Sequence, residues 1–327
     1  MGGIGRASGK LLLFGEHAAV YGHPAVGLSL PEVTRARLVD TEATEWDVAA
    51  IPEEDRQGVR GILSRLEEAV PGLAARGRCT VLVESRVIRK AGFGSSAALC
   101  GALARAVLDH LGEPERAGGD VTRAWRLAHD TERLFHGTPS GVDTGLSLLG
   151  GTCVLRPHPP GLPAYSKVRG RGLCLIVGAV PRDAACAALI ARLGAQVKSG
   201  DTAARASVDK LGRLAAEAAE LLLSDAEHVS EPLGELAERA MDQLRALRLS
   251  TTELDTLLQA ARAAGSLGGK LSGAGGGGAF FAIASDREAA ALIASRLQAA
   301  AVEAGITLTS GPRVLTLPEQ PLEPPAR

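Results

Sequence analysis

The stretch Arg89-Lys90-Ala91-Gly92-Phe93-Gly94-Ser95-Ser96-Ala97-Ala98 constrains this chain more than any other. Two glycines and two serines run directly into an alanine-rich helical pattern, Ala97 to Leu111. A glycine-bent loop that opens a helix aims several unpaired backbone N–H groups one way, and the helix dipole adds partial positive charge at the same point. Such a turn is a seat for phosphate. The serine hydroxyls stand where they would cap the helix or reach a metal on the phosphate. The same residues also suit an ordinary capped helix start, so the rest of the chain has to decide.

A length of 327 residues suits about two domains. Hydrophobic content of 46% with 22% charged residues describes a globular chain with ample core. A formal charge of −1 argues against nucleic acid or a membrane surface as partner. Arginine outnumbers lysine 30 to 6, so each lysine stands out. Three of them, Lys10, Lys90 and Lys270, lie beside glycine-rich segments, where a mobile point charge suits phosphate. The five cysteines (Cys79, Cys100, Cys153, Cys174, Cys186) are scattered, odd in number and never spaced as CxxC. They fit reduced thiols in the cytoplasm better than a disulfide framework or a zinc site. The apolar run Leu11–Phe14 is too short for a signal peptide, and Arg6 stands where a myristoylation signal wants Ser or Thr.

Along the chain, Gly9–Phe14 reads as a buried strand ended by a glycine turn, with Glu16 and His17 at once after it. Ala18–Tyr21 and Ala25–Leu30 read as further strands, and Val33–Val39 alternates as a half-exposed strand does. Val59, Ile62, Leu63, Leu66 and Val70 keep helical spacing up to Pro71-Gly72, and Cys79–Val83 is a strand. A helix over about Thr122 to His136 puts Trp125, Ala128, Glu132 and Phe135 on one face. A carboxylate in an apolar stripe is costly without a partner, so Glu132 calls for a cation or strong donors. Phe135-His136-Gly137-Thr138-Pro139-Ser140-Gly141-Val142-Asp143 is turn-rich and ends on a carboxylate. The four prolines of Pro157–Pro163 and the basic Lys167–Arg171 are the best interdomain linker.

Leu173–Val180 reads as a buried strand, followed by helices over Ala184–Val197, Ala203–Leu223, Leu233–Leu247 and Glu253–Ala264. A third glycine loop, Lys270 to Gly278, leads into the strand Ala279–Ala284. A helix over Arg287–Ala304, two short strands at Ile306–Leu308 and Arg313–Leu317, and a proline-rich, disordered tail Pro318–Arg327 complete the reading.

Generic nucleotide templates fail. Gly92–Ala97 and Gly273–Gly278 both match G-x-G-x-x-G/A, but neither has a second strand ending in an acidic residue about 20 residues on. No G-x-x-x-x-G-K-[ST] exists. What remains is three glycine-flanked loops, a lysine near each, and the carboxylates Glu16, Glu132 and Asp143, the parts that phosphoryl transfer needs.

These motifs resemble the GHMP kinase superfamily. Gly9-Lys10-Leu11-Leu12-Leu13-Phe14-Gly15-Glu16-His17-Ala18-Ala19-Val20-Tyr21-Gly22 is similar to its first motif, in the form associated with the mevalonate kinase branch. Gly92–Ala98 resembles the phosphate loop, Phe135–Asp143 the segment bearing the catalytic aspartate, and Lys270–Gly278 the third motif, all in the family's order.

The resemblance implies an α+β chain of two domains, residues 1–168 of the ribosomal protein S5 domain 2-like type and residues 169–327 ferredoxin-like, with ATP in the cleft between them. It also implies site residues. Lys90, Gly92, Phe93, Gly94, Ser95, Ser96 and Ala97, with Gly273 and Gly275, would bind the nucleotide, and Ser96 and Glu132 would hold Mg²⁺. Asp143 and Lys10 would be catalytic, and Glu16 and His17 would line the acceptor site beside them. The expected reaction is ATP-dependent phosphorylation of mevalonate, with another hydroxylated metabolite (phosphomevalonate, homoserine or a sugar) as alternative and a catalytically silent paralogue as the third reading. Lys90 departs from the family pattern, which usually has glycine there. So do Pro181-Arg182-Asp183-Ala184, without the hydroxyl often found after this Pro-Arg, the Arg239–Asp242 region and Thr144. The oligomeric state is left open, with a homodimer among the options.

Overall fold

Two long strands carry the first half of the chain. β1 (Gly3–Phe14) pairs antiparallel along β2 (Ala25–Asp40), and the alternating half of β2 buries Ala36 and Leu38 while Arg35 and Arg37 face solvent. The structure, a computed structural model, describes residues 2–41, 45–113, 120–135, 139–158, 161–182 and 186–317. After β2 come α1 (Glu53–Ala69), α2 (Gly72–Ala75), β3 (Cys79–Ser85), α3 (Ser95–His110), α4 (Thr122–Glu132), α5 (Val142–Leu149), β4 (Thr152–Arg156) and β5 (Ala164–Val168). The strands form one antiparallel sheet, β1-β2-β4-β5, with β3 on the distal half of β2. Helix α3 packs along β1 and β2, and with α1, α4 and α5 it closes one face of the sheet over a core that includes Ala7, Leu63, Leu103 and Trp125.

The second half runs β6 (Cys174–Val180), α6 (Cys186–Ser199), α7 (Thr202–Leu223), α8 (Ser230–Ala246), α9 (Thr252–Ala263), β7 (Gly268–Leu271), β8 (Gly278–Ala284), α10 (Arg287–Glu303) and β9 (Ser310–Thr316). Its sheet has the order β7-β8-β6-β9 with every pair antiparallel, the split βαβ arrangement of ferredoxin-like folds. Helices α7 and α8 touch β1, and a second core joins Leu11, Leu13, Phe14 and Phe93 to Ile176, Leu211, Met241 and Phe281. The two halves therefore share buried apolar surface along β1.

Several elements differ from the sequence reading. Ala18–Tyr21 is a 3-10 turn over Ala19–Tyr21, because Gly15 and His17 adopt positive φ and break the extended path. Ala164–Val168 pairs with β4 as an edge strand, so the break between the sheets falls after it. Helix α4 ends at Glu132, which leaves Phe135 exposed and outside the apolar stripe. The turn-rich stretch ends at Gly141, and Val142 and Asp143 already belong to the first turn of α5. Ile306–Leu308 carries no strand; the last strand of the sheet starts at Ser310. His136, Gly137, Thr138, Asp183, Ala184 and the tail 318–327 lie outside the described residues. Among the described residues no helix is long and apolar enough to cross a membrane, and Cys79, Cys100, Cys153 and Cys174 are buried free thiols.

Candidate active site

The phosphate loop gets its shape from left-handed backbone. Lys90, Gly92 and Gly94 have φ of 56°, 90° and 74°. Glycine is required at the last two for a second reason. A Cβ on Gly92 would sit 2.9 Å from the Ala279 nitrogen, and one on Gly94 would sit 2.5 Å from Lys10 Cγ. Lys90 is exposed, and its positive φ accounts for glycine being usual at that position. Phe93 sends its ring into the shared core, under the Arg313 guanidinium at 5.8 Å. Helix α3 then starts at Ser95, so the N–H groups of Ser95, Ser96 and Ala97 have no acceptor within the helix. Ser95 and Ser96 are half-buried, and among the described residues their hydroxyls make no hydrogen bond.

β1 delivers Lys10 to this point through an irregularity. The β1–β2 register shifts between Ser8 and Lys10, and the Lys10 amide donates to the Phe93 carbonyl (2.8 Å) instead of continuing the ladder. The side chain runs under Gly94 and ends 3.0 Å from Asp143 Oδ2. Asp143 comes from the first turn of α5, opened by Gly141 at φ 78°. Glu132 closes α4 beside them, only 1% exposed, with Oε2 buried and without a partner. Burial first, and then the Asp143 charge, push its carboxyl up to about 8, against the pull of Lys10 and a Thr144 hydrogen bond. A lysine, two carboxylates and a row of helix-start N–H groups thus meet at one point.

The third glycine loop forms a separate, buried cluster. Lys270 is fully enclosed and donates to Glu16, to the Leu13 carbonyl (3.0 Å) and to its own Leu271 carbonyl (2.8 Å). Ser272 Oγ donates to the Leu12 carbonyl (2.8 Å) and accepts from the Leu12 amide (3.1 Å). These bonds tie the end of β7 to β1. Glu16, expected to line the acceptor site, has its carboxylate closed off and committed to Lys270, because a buried ammonium needs a counter-charge. Burial raises the Glu16 carboxyl and lowers the Lys270 ammonium, each offset by the other's charge. His17, at φ 61°, has Nε2 buried without a partner, and burial lowers its imidazole to about 4, so it is neutral near pH 7. Gly273 and Gly275 both take positive φ, and a Cβ on Gly275 would meet the Leu249 carbonyl at 2.5 Å.

One residue that the sequence reading did not select joins the two glycine loops. Arg182, at the end of β6, lies within 3.5 Å of where a Cβ would stand on Gly92, on Gly273 and on Gly278, and its Nε is buried without a partner. The signal was the Pro181-Arg182 pair after a buried strand. Separately, a cavity of about 610 Å³ lined by Trp125, Arg126, His129, Pro163 and Tyr165 lies along α4, and none of the expected site residues lines it.

Residues 58–151 match the GHMP kinases N terminal domain and residues 209–303 match the GHMP kinases C terminal domain. The mevalonate kinase of Pyrococcus horikoshii is 30% identical over 308 residues, 87% of this chain and 89% of that protein. The chain belongs to the GHMP kinase family. The mevalonate kinase of Pyrococcus furiosus is 28% identical over 318 residues, 90% of this chain and 92% of that protein. Among solved structures, L. major mevalonate kinase in complex with R-mevalonate shares the fold at a TM-score of 0.75 and 23% identity, over 100% of this chain and 98% of that one. Streptococcus pneumoniae phosphomevalonate kinase, with phosphomevalonate and AMPPNP, shares it at a TM-score of 0.75 and 17% identity, over 96% and 99%.

Proposed function

We propose that this chain transfers the γ-phosphoryl group of ATP to the 5-hydroxyl of (R)-mevalonate, giving 5-phosphomevalonate and ADP. The observation that carries the reading is the Lys10–Asp143 ion pair, 3.0 Å long, beside the buried Glu132 and under the phosphate loop. Mevalonate as acceptor is supported by relatives named mevalonate kinase over nearly the whole chain, and by the first motif from Gly9 to Gly22.

Mg²⁺ fits the donor set. A fully buried carboxylate oxygen without a partner is costly, and Glu132 Oε2 is one. Glu132 and Ser96 would hold the ion, which supplies neutralisation of the phosphate charge. The chain's own groups do the rest. The N–H groups of Ser95, Ser96 and Ala97 bind and orient phosphate oxygens, and Gly92 and Gly94 let the backbone come close. Asp143 accepts a hydrogen bond from the acceptor hydroxyl and takes its proton as the O–P bond forms and the bond to ADP breaks; Lys10 pairs with Asp143 and steadies charge on the attacking oxygen. Arg182, between the two glycine loops, adds positive charge on the phosphate side. His17 faces the acceptor as a neutral imidazole, while Glu16 acts through Lys270, by holding the third loop and its Gly273 and Gly275 against β1. The unit of residues 1–168 supplies the phosphate loop and catalytic pair, the unit of residues 169–327 the third loop, and ATP lies between them. The four described thiols, all buried and reduced, suit a cytoplasmic setting.

The test is a coupled ADP-release assay with Mg-ATP and a panel of acceptors: mevalonate, phosphomevalonate, homoserine and galactose. Turnover with mevalonate well above the others is expected. Turnover with another acceptor and none with mevalonate would move the chain to a different branch of the family.

A further inference from the structure

We propose that Asp40, Cys79 and His110 form a binding site for a thiophilic divalent transition-metal ion of the Zn²⁺ class. The fold brings the three together from separate elements. Asp40 ends β2 and Cys79 begins β3, and they are direct partners in the ladder; His110 ends α3. One donor atom from each lies within 4.8 Å of the other two. Cys79 Sγ is 3.7 Å from His110 Nε2 and 3.9 Å from Asp40 Oδ1, and His110 Nδ1 is 3.6 Å from Asp40 Oδ1. Bond lengths of about 2.3 Å to sulfur and 2.0–2.1 Å to nitrogen put the donors of a tetrahedral zinc ion about 3.5 Å apart. Cys79 Sγ and His110 Nε2 already stand near that separation, and with one donor atom per residue every pair lies within 4.8 Å.

A second observation separates this cluster from a loose set of polar contacts. His110 is 5% exposed, and its Nδ1 is buried without a hydrogen-bond partner. A buried ring nitrogen left in that state is unfavourable, and imidazole is the commonest side-chain ligand for a metal ion. Thiolate, imidazole and a single carboxylate select Zn²⁺ or Co²⁺ over Mg²⁺, so the cation of phosphoryl transfer does not compete. Access runs through Asp40, whose side chain is 54% exposed. Burial and the Asp40 charge raise the Cys79 thiol, which is therefore protonated at neutral pH. Binding converts Cys–SH and M²⁺ into a metal thiolate and one released proton.

The site would be a clip rather than a catalytic centre. Helix α3 has 16 residues. That length spans about 24 Å. The metal thus stands at one end of the helix and the phosphate loop at the other, and it would fasten the helix to the distal corner of β2 and β3.

The test uses the full chain, treated with chelator and titrated with Co²⁺ under reducing conditions. One equivalent is expected to bind, with a thiolate-to-cobalt charge-transfer absorption, release of one proton and displacement by Zn²⁺. Cys79→Ser should lose the absorption, whereas Cys100→Ala should keep it, which separates this cluster from the thiol nearest Glu132. Zn²⁺ should raise the Tm of the wild type and leave that of Cys79→Ser unchanged. Folded wild-type protein that gives no thiolate absorption with Co²⁺ would overturn the proposal, as would absorption that survives in Cys79→Ser.

Discussion

Glu132 shows what one buried carboxylate costs and why a chain would keep it. Its neighbours and its burial raise the folded-state value to about 8, while in the unfolded chain it stays near the ordinary value of 4.5. Between those values the folded protein binds more protons than the unfolded one, so the contribution of Glu132 to stability falls as pH rises through the window and levels off above about 8. Glu132→Gln removes that loss. Thermal melts of metal-free, nucleotide-free protein should show Glu132→Gln more stable than wild type, by a margin that grows by up to ~1.4 kcal/mol per pH unit between pH 6 and 8, while kinase turnover drops sharply. A margin that stays flat with pH would mean that the carboxyl is not strained by burial. Lys90 makes the opposite case. It is an exposed lysine at φ 56°, where the side chain costs about 1 kcal/mol relative to glycine. Lys90→Gly should raise the unfolding free energy by about 1 kcal/mol, read as a higher urea midpoint at unchanged m. A lower midpoint would show that the lysine side chain contributes more than its backbone strain removes.

Among the elements, β1 and β7 are joined by a polar lock that apolar patterning does not reveal. Ser272 satisfies both backbone groups of Leu12, and Lys270 spends three donors on Leu13, Leu271 and Glu16. Ser272→Ala strands a buried amide and a buried carbonyl, so unfolding by denaturant should become easier by about 1–3 kcal/mol. Lys270→Met leaves the Glu16 charge buried and unpaired, a loss of about 3–5 kcal/mol, and adding Glu16→Gln should recover part of it. If the double variant is no more stable than Lys270→Met, the ion pair is not what holds the loop. Gly94→Ala acts on the catalytic side, because its Cβ would displace the Lys10 chain at 2.5 Å. It should lower kcat by at least tenfold while leaving much of the fold's stability intact.

For the molecule as a whole, the architecture was largely legible in the chain. Three glycine loops in fixed order, the alternation of Val33–Val39 and the apolar run Leu173–Val180 all correspond to the strands and turns of two antiparallel sheets. Glu132 was legible as an anomaly, since a carboxylate on the face of Trp125 and Ala128 has to be explained by something outside the helix. What escaped depended on partners distant in sequence. Glu16 read as an acceptor-site residue through the resemblance of the first motif, and nothing local announces that Lys270, 254 residues on, takes its charge. Arg182 matters through three glycines in other loops, and the Asp40–Cys79–His110 cluster exists only because β2, β3 and α3 end at the same corner. Ala164–Val168 escaped because a short, exposed edge strand after prolines carries almost no apolar signal. The account of function rests on Asp143, and the most direct measurement compares 5-phosphomevalonate formation by wild type and Asp143→Asn, alongside the Kd for ATP. Wild type should turn over mevalonate, and Asp143→Asn should lose about 10²–10⁴ of that rate with its ATP affinity nearly unchanged. Wild-type turnover in Asp143→Asn would contradict it.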